Sequence, residues 1–445
     1  MAEQNKAPRG TQDVLLENSY KWQFVEKVMI ETAAQYGFTE CRTPVFEHTE
    51  VFLRSVGDTT DVVQKEMYTF LDKGNRSITL RPEMTAGTVR SVIEHGTICG
   101  TLPVKACYIG PCYRYEKPQA GRLREFHQFG VECFGTSNPS ADAEVILLAS
   151  SVLKNIGIKN LSLEINSIGC PECRKKYHQA LIEYFSTKQS DLCETCRDRL
   201  TRNPMRIFDC KSPVCKDICV DAPLMIDYLC DECSNHFTAV KKHLDAADIK
   251  YTVNPKIVRG LDYYTKTVFE FVSGDIGAQS TVCGGGRYDG LIEQLGGQHT
   301  PSLGFAMGIE RLLLVLESQN AEIPNNKKCD VYIGALGDDA SVYTTKLAYL
   351  LRDEGFSVET DIVGRSAKAQ MKYANKINAK NSIMIGDNEL QNSVATLKNM
   401  ENGESKEVSL PNGLIDAIYE NQIETAVDSL TESIDGLDTI LKDLK

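Results

Sequence analysis

Apolar residues recur at Trp22, Val25, Val28 and Met29, Ala33 and Tyr36, the three-and-four spacing of a helix buried along one side, and Gly37 ends it. That pattern predicts a helix over residues 17–36, then a strand over 38–46. Pro44 inside the strand favours an edge or a chain-to-chain boundary over a sheet centre. Residues 67–71 and 77–81 read as a hairpin around Lys73-Gly74-Asn75. A helix is predicted over 88–95. Residues 108–116 and 126–134 are two β-rich runs flanking a Lys/Pro/Gly/Arg loop, a long hairpin. Beyond it come a helix over 140–156 and a strand over 161–166. A segment from about 169 to 240 includes helical stretches such as 174–185. Strand character resumes over 251–258, and an apolar helix is predicted over 308–317.

A polar linker, 318–328, carries Pro324 followed by Asn325 and Asn326, and after it the pattern changes. Strand (330–335), helix (340–354), strand (356–362), helix (367–379) and strand (382–386) alternate, with two more short strands and a helix to follow. This is the pattern of a small α/β domain with a mixed or parallel sheet. In the tail, Ile423, Val427, Leu430, Ile434, Leu437, Leu441 and Leu444 fall at alternating four- and three-residue steps, a heptad seam. It suits packing on the chain's own surface or against a partner helix.

Length and composition narrow the class. A chain of 445 residues exceeds one ordinary core, so two or three domains are expected. The N-terminus lacks an apolar core after a basic start, and no run of about 18 apolar residues occurs, so a cytoplasmic protein with no membrane partner is expected. The net charge of −12 does not advertise nucleic-acid binding, yet local basic patches can still hold a polyanion. Sixteen cysteines argue against a disulfide scaffold at this length, and nine of them crowd between Cys170 and Cys233.

The long hairpin holds the first candidate chemistry. Arg114, Lys117, Arg122 and Arg124 are basic, and a guanidinium can grip phosphate or carboxylate oxygens through two bonds. Phe126, Gln128 and Glu132 then add a ring face, an amide and a carboxylate. The set suits a nucleotide beside a small cationic or hydrogen-bonding ligand; a charged surface hairpin is the bland alternative.

The rest of the chain carries a resemblance. Gly37-Phe38 with Pro44-Val45-Phe46, Tyr113-Arg114-Tyr115-Glu116 with Phe126, and Gly304-Phe305-Ala306-Met307-Gly308-Ile309-Glu310-Arg311 look like the three motifs of class II aminoacyl-tRNA synthetases, in order. Arg259-Gly260-Leu261-Asp262-Tyr263-Tyr264 and Cys283-Gly284-Gly285-Gly286-Arg287-Tyr288 narrow the resemblance to histidyl-tRNA synthetases. No G-x-x-x-x-G-K-[ST] sequence occurs, so a P-loop does not hold the phosphates.

The resemblance implies an enzyme that joins histidine to ATP as histidyl-adenylate and passes the histidyl group to the 3′ end of tRNA(His). It implies ATP as substrate with Mg2+, L-histidine and tRNA(His) as partners, and a homodimer built on the first motif. Arg114 and Arg259 would touch the α-phosphate as catalytic groups. Arg122 and Arg311 would hold the outer phosphates, Phe126 and Arg311 would sandwich adenine, and Glu116 would orient it. Histidine would meet Glu83, Thr85 and Gln128 at its amino group, Arg259 at its carboxylate, and Glu132, Tyr263 and Tyr264 at its ring. His127 is expected to face away as a packed residue. Met84 departs from the glycine often found there, so its side chain is expected to point away from the pocket. A non-catalytic paralogue, such as a regulatory subunit of histidine biosynthesis or a tRNA-sensing module, is the alternative.

The cysteine pairs Cys170/Cys173, Cys193/Cys196 and Cys230/Cys233 have metal-ligand spacing, with Cys210, Cys215 and Cys219 between them. Structural zinc, away from the reaction, and reduced structural thiols are the two readings; two four-thiolate sites with one cysteine left over are arithmetically open. By resemblance this insertion reaches over the acceptor arm of the tRNA. In the last domain Lys368, Lys372, Lys376 and Lys380 share one side of a predicted helix beside Arg365, a solvated face or a phosphate track; the family uses this domain on the anticodon.

The expected fold is thus an α+β catalytic core with an antiparallel sheet (1–168 and 249–322), interrupted by a small Cys-rich helical insertion (169–248). It is followed by a C-terminal α/β anticodon-binding domain (328–422) and an amphipathic helix (423–445).

Overall fold

The computed structural model describes residues 5–57, 60, 62–259, 261–325, 329–421, 423 and 427, in two compact units, Met1–Pro324 and Asn325–Lys445. The heptad seam of the tail lies outside the described residues except at Ile423 and Val427.

The first unit is built on an eight-stranded sheet. In spatial order its strands are Thr39–Glu40, Val104–Tyr113, Glu125–Phe134, Ser302–Gly308, Thr281–Arg287, Thr265–Ser273, Leu161–Ser167 and Thr252–Val253. The six central strands pair antiparallel, and a two-residue strand pairs parallel at each edge. The hairpin Val104–Tyr113/Glu125–Phe134 is as deep in the sheet as its β-rich pattern suggests. One face of the sheet is covered by the helices Ser19–Gln35, Pro139–Asn155, Asp231–Ala246 and Ile309–Ser318, which enclose a core containing Met29, Ile146, Val240, Phe269, Phe305 and Leu312. Asn138 starts the second of these helices, its side chain accepting from the Ser140 N–H at 3.0 Å.

Two predicted strands differ from the structure. Residues 38–46 make two short strands in different sheets, Thr39–Glu40 at the edge of the large sheet and Phe46–His48 at the edge of a three-stranded one. Pro44, with no N–H to give a ladder, stands where the chain crosses. The three glycines 284–286, which alone would pass for a turn, are the middle of the strand Thr281–Arg287. Its register against Ser302–Gly308 and Thr265–Ser273 leaves no room for side chains.

The cysteine-rich stretch is helical, with Pro171–Ser186, Glu194–Arg202, Pro213–Ile218 and Asp231–Ala246 as its helices. It shares one apolar cluster with Phe134, Tyr263, Tyr264 and Tyr288 of the sheet side. The second unit has a five-stranded sheet in the order Val358–Thr360, Val331–Ala335, Asn381–Ile385, Val394–Asn399, Ser405–Ser409, the first three parallel and the rest antiparallel. Its helix Ala367–Lys376 leaves Lys368, Lys372 and Lys376 exposed. Lys380 is not on that helix face: the helix ends before it, and its ammonium pairs with Asp330 at 2.7 Å. Arg365 is held by Asp361 at 2.7 Å and lies 4.1 Å from the Tyr373 ring centre.

Candidate active site

Strand alternation lays out one half of the site. On Glu125–Phe134 successive side chains point to opposite faces, so Phe126, Gln128 and Glu132 share the face that lines a cavity of about 510 Å³. His127 points the other way. Its backbone N–H and Nδ1 meet Glu310 at 2.9 and 3.0 Å, and its ring stands edge-on to Trp22. Burial alone would lower the His127 pKa, but the Glu310 carboxylate holds it above the ordinary value.

All twelve residues assigned above to histidine and ATP line the one cavity: Glu83, Thr85, Arg114, Glu116, Arg122, Phe126, Gln128, Glu132, Arg259, Tyr263, Tyr264 and Arg311. They come from five places in the chain. Arg114 leaves the end of its strand with Nε donating to Pro82 O at 2.8 Å, and its guanidinium lies 5.2 Å from the Phe126 ring centre. Arg122 pairs with Glu116, which is itself 8% exposed. Arg311, on the first turn of Ile309–Ser318, donates to Gly121 O at 2.9 Å and Thr281 O at 3.0 Å. Burial and the nearby Arg114 and Arg122 push its pKa below the usual guanidinium value. Arg114, Arg122, Arg259 and Arg311 thus put four guanidiniums in a wall that also carries carboxylates, and the arginine side is a place for a polyanion.

Glu83 has two duties. Its carboxylate accepts from the Thr85 N–H at 2.7 Å and the Ala86 N–H at 2.9 Å, starting the helix Thr85–Glu94, and it also lines the cavity. The capping role and the ligand role thus coexist. Burial raises its pKa against the pull of those two N–H groups. Met84 beside it has an ordinary negative φ and turns away to pack on Tyr108, Cys112 and Phe126, so no glycine is required there.

At the closed end Glu132 is 1% exposed. Tyr108 donates to its Oε1 at 2.8 Å and Tyr288 to its Oε2. Burial pushes the Glu132 carboxyl up to about 8, with the hydrogen bonds from Tyr288, Thr85 and Tyr108 opposing. A Cβ at Gly304 would run into Glu132 Oε2, so the first glycine of the third motif is the space the carboxylate occupies. Tyr108 and Tyr288 are the partners that reasoning from the sequence did not assign. Tyr288 was within reach, because it ends the Cys-Gly-Gly-Gly-Arg-Tyr run. Tyr264 instead packs on Tyr263, with ring centres 4.7 Å apart, and under the Arg259 guanidinium. Arg287, fully buried, anchors Tyr288: it bonds Asp142 at 2.5 Å and Thr136 O at 2.7 Å. Burial would raise the Asp142 pKa, but His236 and Arg287 hold it below the usual carboxylate value.

Arg259 reaches the cavity over Gly284, where any Cβ would strike its guanidinium. It pairs with Glu270, which also accepts from Thr281 Oγ1 at 2.8 Å. Burial disfavours its charge, yet Glu270 keeps its pKa above the ordinary value. Arg199, Arg206, Asp209 and Lys211, all from the cysteine-rich stretch, line the same cavity. None of the insertion's cysteines lines the cavity itself.

Its thiols form two groups. Cys170, Cys173, Cys230 and Cys233 make one, and Cys193, Cys196, Cys210 and Cys215 the other, with the sulfurs of each group within 4.8 Å of one another. The Cys170–Cys173 and Cys193–Cys210 sulfur separations are 3.6 and 3.7 Å, close to the edge of about 3.8 Å that a tetrahedron with Zn–S bonds of about 2.3 Å requires. Cys210 and Cys215 thus join the three pairs, and Cys219 is left over.

Comparison with known proteins agrees with this geometry. The family described as histidyl-tRNA synthetase matches residues 10–183 and 223–312, and the one described as anticodon binding domain matches 330–420. The chain is 56% identical over 405 residues to a histidine--tRNA ligase of Acetivibrio thermocellus, covering 91% of this chain and 97% of that protein. It is 57% identical over 407 residues to the histidine--tRNA ligase of Clostridium novyi, covering 92% and 97%. The crystal structure of apo S. aureus histidyl-tRNA synthetase superposes with a TM-score of 0.81 at 42% identity, covering 93% of this chain and all of that one. With the second and third motifs meeting in one cavity and these relatives spanning nearly its whole length, the chain belongs to the histidyl-tRNA synthetase family.

Proposed function

We propose that the protein is a histidine--tRNA ligase: it condenses L-histidine with ATP to histidyl-adenylate and pyrophosphate, then transfers histidine to the 3′-terminal ribose of tRNA(His). The observation that carries this reading is the buried Glu132 carboxylate at the closed end of a cavity whose mouth is ringed by Arg114, Arg122, Arg259 and Arg311. A non-catalytic paralogue has no use for both ends at once.

In the first step the histidine carboxylate attacks the α-phosphorus, and negative charge builds on the α-phosphate and the departing pyrophosphate. Arg114 and Arg259 meet the α-phosphate, and Arg122 and Arg311 the outer phosphates, fixed by their bonds to Pro82 O, Glu270, Glu116 and Gly121 O. Such fixed charges need no reorganisation as the reaction proceeds. Phe126 and Arg311 hold adenine between a ring and a guanidinium. The Glu310 and Glu66 carboxylates in the wall are oxygen donors that would hold a magnesium ion entering with ATP, which would supply further positive charge. Glu132, with Tyr264 opposite, selects the imidazole, and Glu83, Thr85 and Gln128 receive the amino group.

Exchange of labelled pyrophosphate into ATP, run with histidine and separately with the other amino acids, tests the reading. Exchange should appear with histidine alone. A folded preparation with no exchange, or with exchange driven by another amino acid, would overturn it.

The Glu132 pKa adds a second expectation. With its carboxyl pushed up to about 8, free Glu132 is protonated where free imidazole, titrating near ~6.5, is neutral. The complex then holds one proton between carboxyl and ring. Below about pH 6.5 binding must release a proton, and above about 8 it must take one up, so affinity should peak between these values and fall by up to ~10-fold per pH unit on either side. Calorimetry of histidine binding against pH checks this. The substrate's own amino group titrates alike in wild type and Glu132→Gln, so the upper fall due to Glu132 should be missing from the variant; identical profiles would sink the assignment.

Two further readings belong here. Phe46 and Phe70, on one face of the small three-stranded sheet, are 57% and 49% exposed, an apolar patch that suits the homodimer contact. The C-terminal unit, with Lys368, Lys372 and Lys376 exposed on one helix, is taken to meet the anticodon arm of tRNA(His). We read the two thiol groups as zinc sites with structural duties, because four thiolates at tetrahedral spacing make a closed site with no open coordination position.

A further inference from the structure

The second thiol group differs from the first in what it touches. Cys170, Cys173, Cys230 and Cys233 sit at the starts of the helices Pro171–Ser186 and Asp231–Ala246, so they join the two ends of the insertion. Cys193, Cys196, Cys210 and Cys215 lie between residues 184 and 222, outside both stretches matched to the synthetase family. Cys210 is flanked directly by Asp209 and Lys211, and both line the substrate cavity opposite the sheet.

The segment carrying them is short and packs mainly on its own insertion. Pro204–Asp209 is a single 3-10 stretch, and residues 210–212 lie in no strand. Met205, Ile207 and Cys210 are buried in the apolar cluster, Phe208 stands edge-on to Phe185, and Arg199 Nη1 donates to Arg206 O at 2.9 Å. It meets the substrate side at Asp262, which receives Asn203 Nδ2 at 3.1 Å and pairs with Arg206 at 3.2 Å. Asp262 is three residues beyond Arg259 and adjoins Tyr263. Apolar packing holds residues 205–208; residues 209–211 hang on Cys210, and a tetrathiolate metal site binds with about 10–16 kcal/mol of folding free energy.

We propose that the metal held by Cys193, Cys196, Cys210 and Cys215 is the clamp that fixes Asp209 and Lys211 in the wall of the substrate cavity, and through Arg206 and Asp262 steadies the Arg259–Tyr264 loop. The proposal rests on reading this thiol group as a metal site. Lys211 then adds a cation to the phosphate-binding ring, and Asp209 faces Arg259 and Glu270. The insertion becomes a part of substrate binding, made competent by its metal.

The test uses the full-length protein and three measurements: metal equivalents per chain, amide hydrogen exchange, and KM values for ATP and histidine in pyrophosphate exchange. Wild type should hold about two equivalents of zinc if both groups are four-thiolate sites. Cys215→Ser, which does not itself line the cavity, should lose about one equivalent and lose amide protection at 205–211 and 261–264 while the C-terminal unit keeps its protection. Its KM for ATP or histidine should rise at least about tenfold, the size of a lost charged contact. The double variant Asp209→Asn/Lys211→Ala should show a similar rise with its metal retained. If Cys215→Ser does not fold, wild type stripped by a chelator gives the same three readouts. Loss of metal with protection and KM within twofold of wild type would overturn the clamp. Wild type with one equivalent or fewer would overturn the metal reading on its own, and an unaltered KM in the double variant would overturn the wall.

Discussion

Replacing Arg259 by alanine is expected to slow histidine-dependent pyrophosphate exchange by about 10²–10³-fold in kcat, the cost of removing one fixed donor from a developing oxyanion. The structure gives the reason the effect should be this large. Arg259 enters the cavity with its guanidinium set by Glu270, Thr281 behind Glu270, and the bare backbone of Gly284. Arg114 and Arg311 cannot swing into the same position, because each is tied to a backbone carbonyl. Lysine should not rescue it: a point ammonium cannot reproduce a planar fork that meets carboxylate and phosphate together. Single-turnover formation of the adenylate is the measurement, and a rate within threefold of wild type would remove Arg259 from the reaction. Glu270→Gln makes a useful companion, since a positioning role predicts a smaller loss that follows kcat more than KM.

Glu132→Gln is expected to raise the KM for histidine by about 30- to 1000-fold while leaving the KM for ATP within about threefold, since a charged hydrogen bond in a dry pocket is worth about 2–4 kcal/mol. Glutamine keeps the volume, so Gly304 and the sheet register are undisturbed. It replaces one acceptor oxygen by a donor, and Tyr108, Tyr288 and the imidazole then compete for what is left. Discrimination should fall with affinity: an amino acid whose side chain cannot share the Glu132 proton forgoes the charged pair that imidazole forms with it, and Glu132→Gln takes that advantage from histidine as well. Steady-state exchange with histidine and with a competitor such as glutamine measures both. An unchanged histidine KM would move ring recognition elsewhere in the cavity.

What could be read from the sequence was what period and local spacing encode. Alternation on the long hairpin put Phe126, Gln128 and Glu132 on one face and His127 on the other, and the cavity has that arrangement. What could not be read depends on register between distant strands. Tyr108 reaches Glu132 because their strands are neighbours, and Tyr288 because Arg287 is pinned to Asp142 from another helix. The glycines 284–286 look like a turn until the flanking strands are seen to press on them. The choice of Cys210 and Cys215 over Cys219 as partners of Cys193 and Cys196 is likewise a matter of three-dimensional return, as is the approach of Asp209 and Lys211 to Arg259. Lys380 failed as a helix-face lysine because the helix stops at Lys376, a boundary the lysine spacing does not record.

The alternation along Glu125–Phe134 also sets what lengths this chain can tolerate. Only the tip of the loop, between Glu116 and Gly121, can lose or gain residues at a cost that grows slowly with length, since Arg114, Glu116, Gly121 and Arg122 on either side of it line the cavity. One residue inserted or deleted in the strand itself would exchange its two faces. His127 would turn into the cavity and Gln128 toward Glu310, while the carboxylate of Glu132 would leave the space that Gly304 keeps open. Substitutions at these positions weaken the enzyme by degrees, whereas a frame-preserving indel inside the strand removes both substrates' contacts in a single event. Variation among viable versions of this hairpin is therefore confined to its tip.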